Sequence, residues 1–386
     1  MADKKKQHTV PKCYLKLFSN EKGGVSILNL KNDTVLRKVP YANQCQSNYY
    51  YGKEPQWENL LSKLESDCAP IFCRIVASND YYPTPDEINS LRRFAIFQRA
   101  RSTVFHENTF NQRVQSEMVA LKMHLDHKGI PYNDAMLQSI IKEKLAEDDS
   151  LIQSSLEIAN DIEGEIDDLG FVIINFPGGL VTSDNPVILI NPFIPSNIGF
   201  ATMGLLVFFP IGPTRLAFFY DAKLYPDFLG KERIVCTNPL DIQILNAYQF
   251  MLAHNILIGN TYEPFSDLID STNAYKDERN KILNRNPTAV YKNSSGKLVI
   301  TLPHTVFLNK DLSFCRLLSD AGKIPMPCRE AIPRARDDEY LLKIRDKYEM
   351  FPSMYIQLKE PLSNAKLKEL RQGTQQMERL ANHYWK

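Results

Sequence analysis

The sequence lacks the short signatures of the common catalytic folds. It has no Gly-x-x-x-x-Gly-Lys-Ser/Thr loop, no Gly-x-Gly-x-x-Gly turn, no Gly-x-Ser-x-Gly elbow and no His-Glu-x-x-His helix. Each pattern supplies the backbone geometry or the metal ligands of one enzyme class, namely the P-loop NTPases, the Rossmann dehydrogenases, the α/β-hydrolases and the zincin proteases. We therefore exclude these four enzyme classes.

Paired cysteines and long apolar runs are also missing. The seven cysteines are odd in number and scattered, without a Cys-x-x-Cys pair, which argues against a disulfide framework, a zinc ribbon or an iron–sulfur site. No apolar segment of the secretory type follows the first residues, and the uncharged stretch 198–214 is interrupted by three glycines and two prolines. We expect a cytoplasmic protein with reduced thiols and no membrane span.

The chain has no large net charge. Its 46 Lys and Arg residues balance 45 Asp and Glu residues, which leaves +1, so the protein as a whole has no field that would attract nucleic acid or an anionic membrane. Binding to nucleic acid would need a local patch, and residues 1–40 carry nine basic against three acidic side chains. With 386 residues, 44% of them hydrophobic, the chain can bury a substantial core.

Apolar periodicity predicts both helices and strands. Helices are expected over about 57–76, where Pro70 should bend or divide the helix, and over 85–128, 133–163 and 239–258. Five short β-rich segments separated by Pro and Gly turns lie between Phe171 and Tyr220, a pattern typical of an antiparallel meander. The predicted class is α+β, with an antiparallel β-meander core flanked by long helices.

The composition changes after Cys315, where a segment rich in proline and basic residues is followed by charged helix candidates. We therefore predict one α+β domain over residues 1–315. Residues 316–386 are expected to form a mostly helical C-terminal extension packed on it.

The first candidate for chemistry is His8, which begins the segment His8-Thr-Val-Pro-Lys-Cys-Tyr-Leu15. A histidine near pH 7 can act as a general acid or base. The structural alternative is that Val10, Tyr14 and Leu15 hold this segment in the core while His8 only hydrogen-bonds a carbonyl.

Gln98 and Arg101 are the second candidate. Turning about 100° per residue from Ile88 places Gln98 at about 280° and Arg101 at about 220°, inside the apolar arc of the predicted helix. A buried guanidinium needs an anionic partner, which is either a carboxylate of the protein or a phosphate or carboxylate of a ligand. Both alternatives stay open.

The third candidate is Thr182-Ser-Asp184-Asn-Pro186, between two predicted strands. An Asx-turn would explain Asp and Asn before proline. Strand ends also project side chains into sites, so Asp184 is the carboxylate best placed to hold a metal ion, to orient His8 or to pair with Arg101. Ser183 and Asn185 are expected beside it as substrate-binding groups.

Asn246, in an apolar helix, is the fourth candidate. A buried amide must contact other polar groups. The economical hypothesis is that Asn246 meets His8, Gln98, Arg101 and Asp184 in one interior polar pocket. A structural hydrogen-bond network would leave the same pattern in the sequence.

Five short motifs occur in a characteristic order, namely His8-x-Val-Pro-x-x-Tyr-Leu15, Gln98-x-x-Arg101, Ser183-Asp-x-Pro186, Phe209-Pro-x-x-Pro213 and the helix bearing Asn246. In this order the chain resembles the bacterial family catalogued as domain of unknown function 4238, over residues 7–260. Lys12 stands where that family usually has glutamine. The resemblance carries no established chemistry, but similar families often occur in phage-defence neighbourhoods, where effectors that cut nucleic acid are frequent.

We therefore expect a phosphodiesterase-type enzyme, a nuclease acting as a phage-defence or toxin effector, with Mg²⁺ or Mn²⁺ as its cofactor if it needs one. Arg101 would stabilise charge on phosphorus, and His8 or Asp184 would supply the general base or the metal ligand. The substrate-binding side chains would be those of Gln98, Ser183, Asn185 and Asn246. The alternative is a non-catalytic sensor or interaction module that binds a small anionic ligand or a partner protein from the same operon.

Overall fold

The structure, a computed structural model, describes residues 6–315 except 21, 54, 147–149, 192–199, 201–203, 223–224, 272–274, 277–278, 280–289, 293–297 and 301–310. Its helices and sheets confirm the α+β class. The expected C-terminal extension, residues 316–386, lies outside the described residues.

Eight α-helices and thirteen strands are described. The helices are α1 (Lys12–Leu15), α2 (Pro55–Ala77), α3 (Pro85–Ala100), α4 (Thr103–Lys128), α5 (Asp134–Ala146), α6 (Ser150–Asp161), α7 (Pro239–Leu252) and α8 (Glu263–Ser271). The strands are β1 (Lys6–His8), β2 (Gly24–Asn29), β3 (Thr34–Pro40), β4 (Gln46–Asn48), β5 (Gly170–Asn175), β6 (Thr182–Ser183), β7 (Ile188–Ile190), β8 (Leu206–Pro210), β9 (Arg215–Tyr220), β10 (Arg233–Val235), β11 (Ile256–Gly259), β12 (Val290–Lys292) and β13 (Leu298–Ile300).

The larger sheet has five strands in the order β10-β5-β9-β8-β7. Strands β7, β8 and β9 form the expected antiparallel meander, β5 continues it beside β9, and β10 adds a parallel edge. Successive side chains of a strand point to opposite faces. In β5, Phe171 and Ile173 enter one hydrophobic core while Val172 and Ile174 enter another, so this sheet is buried on both faces.

A second sheet has the order β3-β2-β11-β6, and all its pairs are antiparallel. It contains three strands that the sequence analysis did not predict, β2, β3 and β11. The helix expected over 239–258 ends at Leu252, and Ile256–Gly259 forms β11 between β2 and β6. The predicted extent was wrong because a short apolar run does not distinguish a buried strand from a buried helix. The segment Leu180–Thr182 was expected in the meander, but its last residue, Thr182, belongs to β6 of this sheet instead.

The helix predicted over 85–128 is two helices, because α3 ends at Ala100 and α4 begins at Thr103. Thr84 and Glu87 form a capping box at the start of α3, and Ser102 Oγ accepts the backbone N–H of Phe105 at the start of α4. Such caps satisfy backbone donors that a new helix leaves open. By contrast, α2 runs continuously through Pro70. Within the described residues, no helix is both long and apolar enough to cross a membrane.

The chain divides into two compact units. The first draws on described residues within 6–106, 152–279 and 311–315, and the second on described residues within 107–151, 290–292 and 298–300. The first unit contains the two large sheets, α2, α3 and α7. The second has its own small core, which includes Val114, Leu121, Leu125, Leu137 and Ile141. All candidate site residues belong to the first unit.

Candidate functional site

The segment that carries His8 is fixed into the first unit. Residues 6–15, here called the N-terminal arm, consist of β1, paired with β4, followed by α1. Val10, Tyr14 and Leu15 are fully buried. The Tyr14 hydroxyl lies 2.7 Å from Thr182 Oγ1 and donates to the Pro210 carbonyl at 2.7 Å, and its ring stacks on Phe209. The arm is therefore held against both large sheets.

His8 is half-buried, and its Nε2 lies 3.1 Å from the carbonyl oxygen of Ala42. A carbonyl only accepts, so Nε2 carries the proton, and Nδ1 of the neutral ring keeps a lone pair. Burial lowers the pKa of His8 more than the bond to Ala42 raises it, and the charge of Lys12 lowers it further. The imidazole is therefore neutral near pH 7, with a basic nitrogen.

Arg101 is completely buried at the end of α3. Its Nε donates to Gln98 Oε1 at 2.9 Å and its Nη1 donates to Glu65 Oε1 at 2.6 Å, while Gln98 Nε2 donates to the Thr9 carbonyl at 2.9 Å. Burial is the largest single effect on the pKa of Arg101 and lowers it, but the charge and hydrogen bond of Glu65 and the charge of Tyr51 together outweigh burial, so the net direction is upward. Nη2 is buried without a hydrogen-bond partner among the described residues.

A cavity of about 430 Å³ opens beside this guanidinium. We call it the Arg101 cavity, and it is lined by Lys6, His8, Lys12, Tyr51, Glu58, Leu61, Glu65 and Arg101. Three basic side chains face it against two carboxylates, one of which already pairs with Arg101. Its volume is within the range of sites that hold small molecules. The arrangement can therefore hold an anionic group.

Asp184 lies in another part of the first unit. Its carboxylate accepts the backbone N–H groups of His254, Asn255 and Ile256 at 2.8, 2.7 and 3.3 Å. Burial raises the pKa of Asp184 from 3.8 to about 6, more than these donors lower it. The carboxylate thus fixes the turn between α7 and β11, and does not line the Arg101 cavity. The sequence could not show this because the donors are seventy residues away along the chain.

Asn246, Ser183 and Asn185 form hydrogen bonds around α7. Asn246 accepts the Val181 N–H at 3.0 Å and donates to the Gly179 carbonyl at 2.8 Å. Ser183 Oγ donates to Gln249 Oε1 at 2.6 Å. Asn185 Nδ2 donates to the carbonyl of Leu252 at 2.9 Å. These bonds attach residues 179–185 to α7.

The residues expected to meet in a single polar pocket therefore lie in separate places. His8 and Arg101 line the Arg101 cavity, and Gln98 binds Arg101. Asn246 lines a different cavity of about 780 Å³, and Asp184 caps a turn. Polar residues in apolar surroundings look alike in a sequence whether they belong to one network or to two.

The sequence analysis missed Glu65, the anionic partner of Arg101. Glu65 follows Leu61 by four residues and precedes Cys68 by three, so it borders the buried face of α2. That spacing was the available signal. The role of Tyr51, whose hydroxyl donates to the His8 carbonyl at 2.7 Å, leaves no comparable signal.

The residues proposed to bind Mg²⁺ or Mn²⁺ do not fit such an ion. The buried carboxylate of Asp184 accepts one backbone N–H group at Oδ1 and two at Oδ2, which leaves one lone pair for a cation. In the part of the chain that the structure describes, no three His, Cys, Asp or Glu side chains are grouped to hold a metal.

Comparison with known proteins identifies a family. A family model described as "Protein of unknown function (DUF4238)" matches residues 6–263. This range includes the N-terminal arm, both large sheets and every residue that lines the Arg101 cavity. No curated protein and no solved structure matches the chain.

Removing the charge partner of Arg101 should destabilise the first unit. We expect Glu65→Ala to lower the free energy of unfolding by about 1–3 kcal/mol, because Nη1 loses its charged acceptor. Glu65→Gln keeps an acceptor oxygen and should lose less. Urea unfolding measures both variants, with the exposed Asp67→Ala on the same helix as control. Equal stability of Glu65→Ala and Asp67→Ala would contradict the proposed role of the pair.

Asp184 should make stability depend on pH. Folding raises its pKa from 3.8 to about 6, so its contribution is complete below the lower value and is lost as pH rises through the higher one. The stability advantage of wild type over Asp184→Asn should therefore fall by up to about 3 kcal/mol between about pH 4 and pH 7. Unfolding measured across this range would refute the assignment if the difference stayed constant or grew.

Proposed function

The chain belongs to the DUF4238 family, and we propose that it is a nuclease that cleaves phosphodiester bonds in the Arg101 cavity. The observation that carries this proposal is the unpaired Nη2 of a completely buried arginine beside a cavity that also presents His8 and two lysines. Each step of a phosphodiester cleavage has a candidate group in this set.

Arg101 is suited to bind the phosphate. A buried guanidinium with an unused donor is costly unless an acceptor satisfies it. Glu65 and Gln98 occupy two of its nitrogens, and a phosphate oxygen at Nη2 would satisfy the third. The same contact would strengthen as charge develops on the oxygens of phosphorus, which is how fixed donors accelerate such reactions.

His8 is suited to accept a proton. Its bond to Ala42 fixes the tautomer that leaves Nδ1 basic, and its lowered pKa keeps it neutral near pH 7. A general base is most effective when it is unprotonated at the working pH and lies next to the bound substrate. His8 lines the same cavity as Arg101.

Lys6 and Lys12 extend the positive charge from the cavity to the surface. Both are exposed and belong to the N-terminal arm. A local cluster of this kind binds the nucleic-acid backbone even when the net charge of the protein is close to zero. This supports nucleic acid as the substrate.

The biological setting belongs to the same proposal. We place the protein in the cytoplasm, as an effector of phage defence or as a toxin. Six described cysteines, Cys13, Cys45, Cys68, Cys73, Cys236 and Cys315, are free thiols, which suits a reducing compartment. A second function, binding of a small anionic ligand without catalysis, is favoured by the same unpaired Nη2, since an anion alone would satisfy it.

The test is cleavage of labelled total RNA, plasmid and single-stranded DNA by purified protein. Wild type should cut at least one substrate, and His8→Gln should slow cleavage by about 100-fold or more, because the general base is lost. The matched control is His127→Gln, because His127 is exposed and does not line the cavity. This variant should cut like wild type.

Cleavage by His8→Gln at the wild-type rate would contradict the role of the cavity. If folded wild type cut none of the three substrates, the nuclease proposal would fail. Calorimetric titration with inorganic phosphate would then test the binding module.

A further inference from the structure

The charges around the Arg101 cavity select the kind of chemistry it can support. Its lining carries three cationic side chains, Lys6, Lys12 and Arg101, against the two carboxylates Glu58 and Glu65, and Glu65 pairs with Arg101. This excess of positive charge disfavours a divalent cation. Guanidinium and ammonium groups stabilise an anionic transition state directly. The charge that a metal ion would supply to a phosphoryl transfer is therefore supplied here by the protein.

A phosphoryl-transfer site without a metal ion needs a nucleophile that a neutral imidazole can activate. RNA carries one next to each phosphorus, the 2′-hydroxyl, and holding the reacting groups together raises their effective concentration greatly. DNA lacks this group. A single lone pair on His8 Nδ1 is then sufficient for the deprotonation, provided that the phosphate is held nearby by Arg101.

We propose that the substrate is RNA and that the cavity cleaves it through the 2′-hydroxyl without a metal ion. The inference rests on the nuclease function proposed above. His8 Nδ1 takes the proton of the 2′-hydroxyl, and the 2′ oxygen forms a bond to phosphorus. The bond between phosphorus and the 5′ oxygen breaks, and that oxygen takes a proton from the Lys12 ammonium. Solvent then restores both side chains.

This mechanism determines the chemical ends of the two RNA fragments. No water enters the bond-breaking step, so one fragment ends in a 2′,3′-cyclic phosphate and the other begins with a 5′-hydroxyl. Arg101 Nη2 donates to a non-bridging phosphate oxygen and stabilises the charge that gathers there. Lys12 is assigned as the acid because it lines the cavity and its charge acts on His8.

The experiment compares a labelled RNA oligonucleotide with the same oligonucleotide carrying one 2′-deoxy residue at the cleaved linkage. Both are incubated with full-length wild type in excess EDTA, and the product ends are identified by mass spectrometry. We expect the RNA to be cut to a 2′,3′-cyclic phosphate and a 5′-hydroxyl. The 2′-deoxy linkage should stay intact.

The two levels of the proposal can fail separately. Cleavage of the 2′-deoxy linkage, formation of 5′-phosphate ends or complete inhibition by EDTA would overturn the 2′-hydroxyl mechanism while leaving a nuclease. Absence of any cleavage of RNA and DNA, with or without Mg²⁺ or Mn²⁺, by folded protein would overturn both.

A substrate with sulfur in place of the bridging 5′ oxygen tests the role of Lys12, since a thiolate leaves without a proton. Lys12→Ala should slow cleavage of ordinary RNA by about 10-fold or more and should regain most of the lost rate on the sulfur substrate. His8→Gln should remain slow on both. Equal losses for Lys12→Ala on the two substrates would overturn its assignment as the acid.

Discussion

The interaction on which the rest of this structure depends is the burial of the Arg101 guanidinium. Through Glu65 and Gln98 it joins α2 to α3, and Gln98 extends the connection to the backbone of Thr9 in the N-terminal arm. A buried charge is stable only when its partners are fixed in place. The arrangement that satisfies most of the guanidinium also leaves Nη2 without a hydrogen-bond partner among the described residues, so the structural role and the proposed phosphate contact come from one side chain.

The second group of polar residues supports the first without forming part of it. Asp184 fixes the turn that leads into β11, while Asn246 and Gln249 attach the chain around β6 to α7. Thr182 of β6 in turn binds the hydroxyl of Tyr14. The N-terminal arm therefore lies on a sheet whose position these bonds determine. Asp184 and Asn246, which the sequence suggested as site residues, therefore stabilise the sheet against which the arm with His8 packs.

The sequence predicted those features that depend on local periodicity. The α+β class, α2, the start of α3 and the meander of β7, β8 and β9 follow from apolar spacing and turn residues, and so does the burial of Arg101. The strand β11 was missed because its partners are distant in the chain. The sequence also indicated that Arg101 needs an anionic partner. It could not show whether that partner is Glu65 or a ligand, because Glu65 is distant from Arg101 in the chain.

The central claim, that Arg101 and the arm bind a phosphodiester, is tested most directly by calorimetric titration with a 2′-deoxy dinucleotide, which the proposed mechanism cannot cleave. Wild type should bind it, with affinity that falls as salt rises, and should not bind the two nucleosides without the phosphate. Arg101→Lys, which keeps the charge but loses the planar donor set, should weaken binding by about 10-fold or more. Equal affinity for wild type and Arg101→Lys, or binding that does not need the phosphate, would contradict the account.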